Sequence, residues 1–246
     1  MRRLLPPPTE DVDPAECYRS DERPAPPDRP WVLVNMVASI DGAIAVDGRS
    51  GGLSSAADKV VFHTLRALAD VVLVGAGTVR AEDYGPVRLD PDDVARRQAE
   101  GRPPHPLLAV VSGRLALDPD ARLFADPEAR PLLLTGSHTG PGQQRVFAEL
   151  AEIAQVGHAR VEPRQALREL HERGARIVVC EGGPTLNGEL LARSLVDELC
   201  LTVAPVLVGG TAPRAIDGPQ RPEPMGMLLD RVLEADGWLF LRYLRR

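Results

Sequence analysis

The chain has 246 residues, of which 43% are apolar, 4% aromatic and 26% charged, with a formal net charge of −6. This apolar fraction is typical of a globular protein, and a chain of this length can fold without disulfides or a structural metal. The three cysteines form no CxxC pair, which argues against a zinc ribbon and against a disulfide framework. No apolar run reaches the ~20 residues that cross a bilayer and no signal peptide is visible, so we expect a cytoplasmic protein with no membrane partner.

The basic residues argue against nucleic acid as a partner. All of the 29 basic residues except Lys59 are Arg, and they are dispersed along a chain that carries more acidic than basic residues. Non-specific binding of nucleic acid needs a basic face, and the sequence indicates none. We therefore expect no nucleic-acid partner, and a local Arg pair that faces a phosphorylated small molecule stays open as an alternative.

Strands and helices alternate along the predicted chain. Residues 1–30 are Pro-rich and predict an irregular arm, and residues 31–246 predict a single domain. Apolar runs of strand length occur at 31–37, 71–74, 107–111, 132–134, 153–156, 176–180 and 197–205. Helical patterns begin near residues 55, 76, 92, 141, 163 and 184.

The C-terminal segment predicts a β-hairpin, because two apolar runs flank the turn signal Asp236-Gly237. Alternating strands and helices that finish in a hairpin are typical of an α/β protein. The sequence therefore predicts a mostly parallel central sheet, flanked by helices, with an antiparallel hairpin at its C-terminal end.

Glycine occurs at two junctions where a predicted strand meets a helix, VVLV-GAGTV at 71–79 and IVVC-EGGPT at 177–185. Glycine lets the backbone approach a ligand closely, and free N–H groups at a helix N-terminus bind phosphate. Neither junction is a GxGxxG or P-loop motif, and a tight turn would explain either one alone. Two together favour a shared phosphate-rich ligand, such as a dinucleotide, at the carboxyl ends of the strands. The loop 38–42 is a third candidate, or an ordinary Asp-Gly turn.

Five motifs in a fixed order carry a family resemblance. They are NMVASIDG at 35–42, HTLRA at 63–67, DVVLVGAGTVRAED at 70–83, EGGPTLN at 181–187, and VDEL followed by APVLVGG between 196 and 210. Together they resemble the riboflavin-biosynthesis pyrimidine reductase family, the C-terminal half of the bifunctional deaminase–reductase. The resemblance covers about residues 30–244 and implies a dihydrofolate-reductase-like α/β fold. Relatives are commonly dimers, so it also implies a homodimer.

The resemblance implies NADPH as the hydride donor, with its phosphates on both glycine junctions. In this reading Ala38 lies by the nicotinamide, and Ser112, assisted by Arg114, meets the adenosine 2′-phosphate, which favours NADPH over NADH. The cofactor-binding residues that the resemblance implies are Ala38, Gly75, Thr78, Glu82, Ser112, Gly182, Gly183, Pro184, Thr185, Leu186 and Asn187.

The substrate-contacting positions that the resemblance implies are Arg66, Arg88 and Glu181. In the family the acceptor is 5-amino-6-(5-phosphoribosylamino)uracil, whose ribosyl group is reduced to ribityl. Guanidinium groups suit a ribose phosphate, and a carboxylate suits a uracil amide or amino group. For each Arg the alternative is a solvated surface charge. No catalytic acid is identified, so water or the substrate itself would supply the proton.

Two positions around the substrate depart from the family pattern: Asn35 stands where Lys is usual, and Leu53 roughly where many members carry Trp. These departures leave open another heterocyclic acceptor, such as dihydrofolate or a pterin. A non-catalytic NADP-binding sensor is the alternative from a different class. The HxE and PCxxC motifs of the zinc deaminase are absent, so we expect neither deamination nor a metal site.

Overall fold

In the computed structural model, which describes residues 1–246, ten strands form one mixed sheet. The strands are β1 (Arg2–Leu5), β2 (Trp31–Ser39), β3 (Val71–Gly75), β4 (Leu107–Val111), β5 (Leu132–Thr135), β6 (Glu152–Gln155), β7 (Ile177–Cys180), β8 (Glu198–Ala204), β9 (Met227–Ala235) and β10 (Trp238–Arg245). The helices are α1 (Pro14–Arg19), α2 (Ala56–Leu68), α3 (Ala76–Glu82), α4 (Pro91–Ala99), α5 (Pro141–Phe147), α6 (Pro163–Glu172) and α7 (Pro184–Ala192). None of these helices combines the length and the apolar character needed to traverse a bilayer.

The sheet has the order β1-β9-β10-β8-β2-β7-β3-β4-β5-β6. Neighbouring strands from β8 to β6 run parallel, whereas β1, β9, β10 and β8 pair antiparallel. The β9–β10 turn lies at Asp236 and Gly237, whose φ angles of 51° and 85° suit a two-residue hairpin turn. These features confirm the predicted α/β class with its C-terminal antiparallel hairpin.

Helices cover both faces of the parallel part of the sheet. One face packs against α1, α2, α3 and α5, through side chains such as Leu65, Val79 and Phe147. The other face packs against α6 and α7, through side chains such as Leu167 and Leu190. Strands buried on both faces carry continuous apolar runs, which explains the VVLV and IVVC sequences of β3 and β7.

The first 30 residues differ from the irregular arm that the sequence predicts. β1 pairs antiparallel with β9, and α1 packs its buried Tyr18 against the core. The Asp21 carboxylate accepts two hydrogen bonds of 2.7 Å from the buried Arg231 guanidinium. Contacts with residues more than 200 positions away in the sequence order this segment. Such distant contacts cannot be recognised from the local pattern of apolar residues. The division into an arm and one domain stays a prediction.

Candidate active site

A cleft of about 1120 Å³ opens at the carboxyl ends of β2, β7, β3 and β4. Its walls come from α2, a 3₁₀ turn at Ser50–Leu53, the first turns of α3 and α7, and the loop after β4. Ligands of parallel α/β sheets bind at this edge. The geometry therefore places the candidate site where the two glycine junctions meet.

Most of the predicted site residues line this cleft. Those that do are Asn35, Gly75, Thr78, Glu82, Ser112, Glu181, Gly183, Pro184, Thr185 and Leu186. Five others, Ala38, Gly182, Asn187, Arg66 and Arg88, are not among the lining residues.

The two glycine junctions touch each other. The Gly75 N–H donates a 2.7 Å hydrogen bond to the Gly182 carbonyl, because β3 and β7 are neighbours in the sheet. Gly75 precedes α3 and Gly183 precedes α7, and no side chain caps either helix. A Cβ added to Gly183 would lie 2.6 Å from Thr78 Oγ1, which is too close for two atoms that are not bonded. Two helix N-termini with uncapped N–H groups thus lie side by side.

Arg66 and Glu181 form a two-pronged ion pair at one end of the cleft. Arg66 Nε and Nη2 each donate a 2.7 Å hydrogen bond to one Glu181 carboxylate oxygen. The Tyr84 hydroxyl donates a further 2.6 Å bond to Glu181 Oε2. The Phe62 ring lies 4.1 Å from the Arg66 guanidinium carbon, within cation–π range. Two residues predicted separately as substrate contacts therefore act as one unit.

Burial and charge fix the protonation of this unit at neutral pH. Burial alone would lower the pKa of Arg66, but the Glu181 carboxylate outweighs it and raises the pKa above its ordinary value. Burial raises the pKa of Tyr84 well above its ordinary value, and Glu181 raises it further. Arg66 is therefore charged and Tyr84 neutral, so the phenol donates to the carboxylate.

Asp41, in the third candidate loop, joins two of the sequence motifs. Its carboxylate accepts hydrogen bonds from Ser39 Oγ (2.5 Å) and from the backbone N–H groups of Val208 and Gly209 (3.1 and 2.7 Å). These bonds, that of Ser39 foremost, lower the pKa of Asp41 to about 2. The carboxylate thus ties the loop after β2 to the APVLVGG segment after β8.

Several predicted residues take supporting positions. Ala38 is buried within β2, and Asn187 is fully buried and donates from Nδ2 to the Ala215 carbonyl (2.8 Å). Glu82 accepts a 2.8 Å bond from the Ser50 N–H and so holds the 3₁₀ turn on the cleft wall. The structure does not bring Arg88 to the cleft: its half-exposed guanidinium pairs with Asp126.

The exposed side of α2 contributes residues that sequence reasoning did not select. The Ser55 side chain caps this helix by accepting a bond from the Asp58 N–H, while Val61 and Leu65 face the core. Lys59 and His63 are exposed and line the cleft, as does Phe62. One sequence signal was available, since Lys59 is the only Lys in the chain. Tyr84 carried no comparable signal.

Comparison with known proteins identifies the family of this chain. The family model of the RibD C-terminal domain matches residues 30–235. The chain belongs to this family. The 2,5-diamino-6-ribosylamino-4(3H)-pyrimidinone 5′-phosphate reductase of Archaeoglobus fulgidus is 36% identical to it over 192 residues, 77% of this chain and 87% of that protein. The riboflavin biosynthesis protein RibD of Mycobacterium tuberculosis is 35% identical over 182 residues, 74% of this chain and 44% of that protein.

Two solved structures resemble this chain over nearly its whole length. A pyrimidine reductase-like protein from Corynebacterium diphtheriae has a TM-score of 0.84 and 25% identity, covering 96% of this chain and 99% of that one. The riboflavin biosynthesis reductase Rib7 of Saccharomyces has a TM-score of 0.69 and 18% identity, covering 94% and 95%, and shows the shared fold. The family and the dihydrofolate-reductase-like fold class predicted from the sequence are confirmed, and the chain is an oxidoreductase.

Proposed function

We propose that this protein is an NADPH-dependent reductase of a ribosylamino-pyrimidine 5′-phosphate. The observation that carries the proposal is the contact between the two glycine junctions, which brings two uncapped helix N-termini to one wall of the cleft. The Arg66–Glu181–Tyr84 unit supplies a polar surface at the adjoining end. A cleft of about 1120 Å³ is large enough for a dinucleotide and a second small molecule.

The residues at the junctions fit a pyrophosphate. Gly183 has no room for a Cβ beside Thr78, and the first turns of α3 and α7 offer N–H groups to anionic oxygens. Ser112 and the exposed Arg114 line the cleft past β4, where they would meet a 2′-phosphate. When bound, NADPH supplies a hydride from the nicotinamide ring.

The side chains position the acceptor and exclude water. The Glu181 carboxylate, held by Arg66 and Tyr84, has a fixed orientation toward the cleft and can accept from the N–H groups of a pyrimidine ring. Asn35 lines the same wall and offers an amide where a cation is usual in the family. The cleft is lined by no buried His or Lys that would act as a proton donor, so the protein's main contribution is to hold the two reactants in a reactive orientation.

The acceptor has two candidate forms. The sequence motifs favour 5-amino-6-(5-phosphoribosylamino)uracil. The second candidate, 2,5-diamino-6-ribosylamino-4(3H)-pyrimidinone 5′-phosphate, is favoured by the relatives named for it, of which this chain covers 87% and 85%. The two rings differ at C2, which carries an amino group in the pyrimidinone and a carbonyl oxygen in the uracil. A carboxylate accepts hydrogen bonds from the amino group and not from the carbonyl, so Glu181 is the side chain expected to discriminate them.

Steady-state oxidation of NADPH with each acceptor tests the proposal, with dihydrofolate as the comparison acceptor. We expect turnover of at least one phosphorylated pyrimidine, none of dihydrofolate, and a lower Kd for NADPH than for NADH. Tight NADPH binding without turnover of any acceptor would favour the sensor alternative. Equal affinities for NADPH and NADH would contradict the assignment of Ser112 and Arg114.

We also propose that two copies associate through one face of β8 and β10. Leu199, Leu201 and Val203 lie directly opposite Tyr243, Leu241 and Leu239 in the sheet, and all six side chains are only partly buried. A cluster of partly exposed apolar side chains on one face of a sheet is typical of an interface. Sedimentation should give a dimer for the wild type and a monomer for Leu241→Asp, and a wild-type monomer would contradict the proposal.

A further inference from the structure

The cations around the cleft differ in whether a carboxylate already neutralises them. Arg66 is held by both oxygens of Glu181, and Arg88 pairs with Asp126 outside the cleft. Lys59, Arg80 and Arg114 line the cleft, and none of the three forms an ion pair. Only these three side chains are therefore free to neutralise a bound anion without breaking an existing ion pair.

The three free cations lie at different ends of the cleft. Arg80 donates to the Ala116 carbonyl (2.7 Å), so it stands beside Arg114 in the loop after β4. Lys59 lies on α2, the helix whose Arg66 reaches Glu181 just after β7. β3 separates β7 from β4 in the sheet. Lys59 is thus the free cation at the Glu181 end.

The same side of α2 carries Lys59, Phe62, His63 and Arg66. Their spacing of i, i+3, i+4 and i+7 puts them on one face of the helix. The neighbouring Asp58 carboxylate accepts a 2.6 Å hydrogen bond from Ser54 Oγ and forms no ion pair with Lys59. An anion beside this face would meet the ammonium group of Lys59 and the imidazole of His63, which are both exposed and line the cleft.

We propose that Lys59, with His63 one helical turn later, binds the phosphate of the acceptor. This inference rests on the proposed function and deepens it. An ammonium group binds phosphate as a point charge, and the exposed stem of Lys59 allows it to follow the ribose. The Arg66–Glu181 pair then remains intact, and its Glu181 carboxylate, which lines the cleft, contacts the pyrimidine ring. Lys59 on α2 thus supplies the positive charge that Asn35 on β2 does not carry.

The single Lys makes a direct chemical test possible. An amine-reactive acetylating reagent can modify only Lys59 and the α-amino group, and mass spectrometry distinguishes the two. Ribose 5-phosphate should slow acetylation of Lys59, whereas ribose should not, and the α-amino group serves as the internal reference. Equal rates of Lys59 acetylation with the two sugars would overturn the proposal.

Substitution gives a second test that does not depend on turnover. Lys59→Gln should weaken binding of ribose 5-phosphate roughly 10- to 100-fold, the range expected for one charge-assisted hydrogen bond, and leave the Kd for NADPH unchanged. Lys59→Arg should retain most of the affinity, and Arg168→Gln, at an exposed position on α6, should retain all of it. Wild-type affinity for ribose 5-phosphate in Lys59→Gln, or an equal loss of NADPH affinity, would overturn the proposal.

The two proposals fail in different ways. If the wild type reduces neither pyrimidine but ribose 5-phosphate still protects Lys59, the proposed function is wrong and the phosphate site stands. If the wild type reduces a pyrimidine and Lys59→Gln has an unchanged KM for it, the phosphate site is wrong and the proposed function stands.

Discussion

Arg66 and Glu181 lie 115 residues apart in the chain and meet in a two-pronged ion pair with both N–O distances at 2.7 Å. The pair is largely buried, with 15% and 4% of the two side chains exposed. Removing one partner of such a pair leaves an uncompensated charge, so the two residues depend on each other. Because of this pairing, the positive charge of Arg66 is already neutralised and is not available to a bound phosphate.

Tyr84→Phe should destabilise the protein by about 1–3 kcal/mol at neutral pH, because it removes a hydrogen bond to a charged group. The folded-state pKa of Tyr84 is raised, so the stability it contributes is present below the unfolded pKa of roughly 10 and is lost as pH rises through the folded pKa. Urea denaturation at neutral and alkaline pH measures both effects. Tyr18 also has a raised pKa, but both the wild type and Tyr84→Phe contain it, so it does not contribute to the difference between them. A stability difference that grows at alkaline pH would contradict this account.

Arg66→Gln and Arg88→Gln should behave differently. We expect Arg66→Gln to reduce kcat/KM for the pyrimidine by at least about 30-fold, because it leaves Glu181 buried without its partner at the acceptor end. Arg88→Gln should change kcat/KM less than about fivefold, since its ion pair with Asp126 is half-exposed. Steady-state kinetics of both variants distinguish them, and a large effect of Arg88→Gln would restore its predicted substrate role.

The contrast between Arg66 and Arg88 shows how far the sequence predicts the site. The family resemblance implies a substrate contact for both residues, and only three-dimensional packing reveals that one reaches Glu181 and the other Asp126. Strands such as VVLV could be predicted because burial on both faces requires a continuous apolar run. The Asp236-Gly237 turn could be predicted because a turn with positive φ angles favours these two residue types. The formation of β1 and the hydrogen bond from Tyr84 to Glu181 both depend on residues that are distant in the sequence. No local sequence pattern encodes such contacts.

Gly183→Ala should weaken NADPH binding by at least about tenfold, because the new Cβ would lie 2.6 Å from Thr78 Oγ1 and displace the wall of the phosphate site. Gly75→Ala should be milder, since its Cβ would find only ordinary contacts of 3.5 Å or more. Calorimetric titration with NADPH measures both. Gly142→Ala on α5, where a Cβ meets nothing within 4 Å, is the control. Wild-type affinity in Gly183→Ala would mean that the second junction is not a phosphate site.

Asp41→Asn should loosen the APVLVGG segment. The wild-type pKa of about 2 means that the carboxylate stabilises the fold above its unfolded pKa of roughly 4, and this stability is lost as pH falls toward 2. Hydrogen exchange at the Val208 and Gly209 amides should be slow at neutral pH and faster in the variant. Exchange rates that are the same in both proteins would show that the carboxylate does not hold this segment.

Transfer of deuterium tests the central claim most directly. NADPH carrying two deuterium atoms at nicotinamide C4 would be mixed with the enzyme and each phosphorylated pyrimidine, and the product examined by mass spectrometry. The account predicts one deuterium in the newly formed ribityl group and none in product made with unlabelled NADPH. A ribityl product without deuterium, or no ribityl product from either pyrimidine, would contradict the assignment of this cleft as the site of hydride transfer.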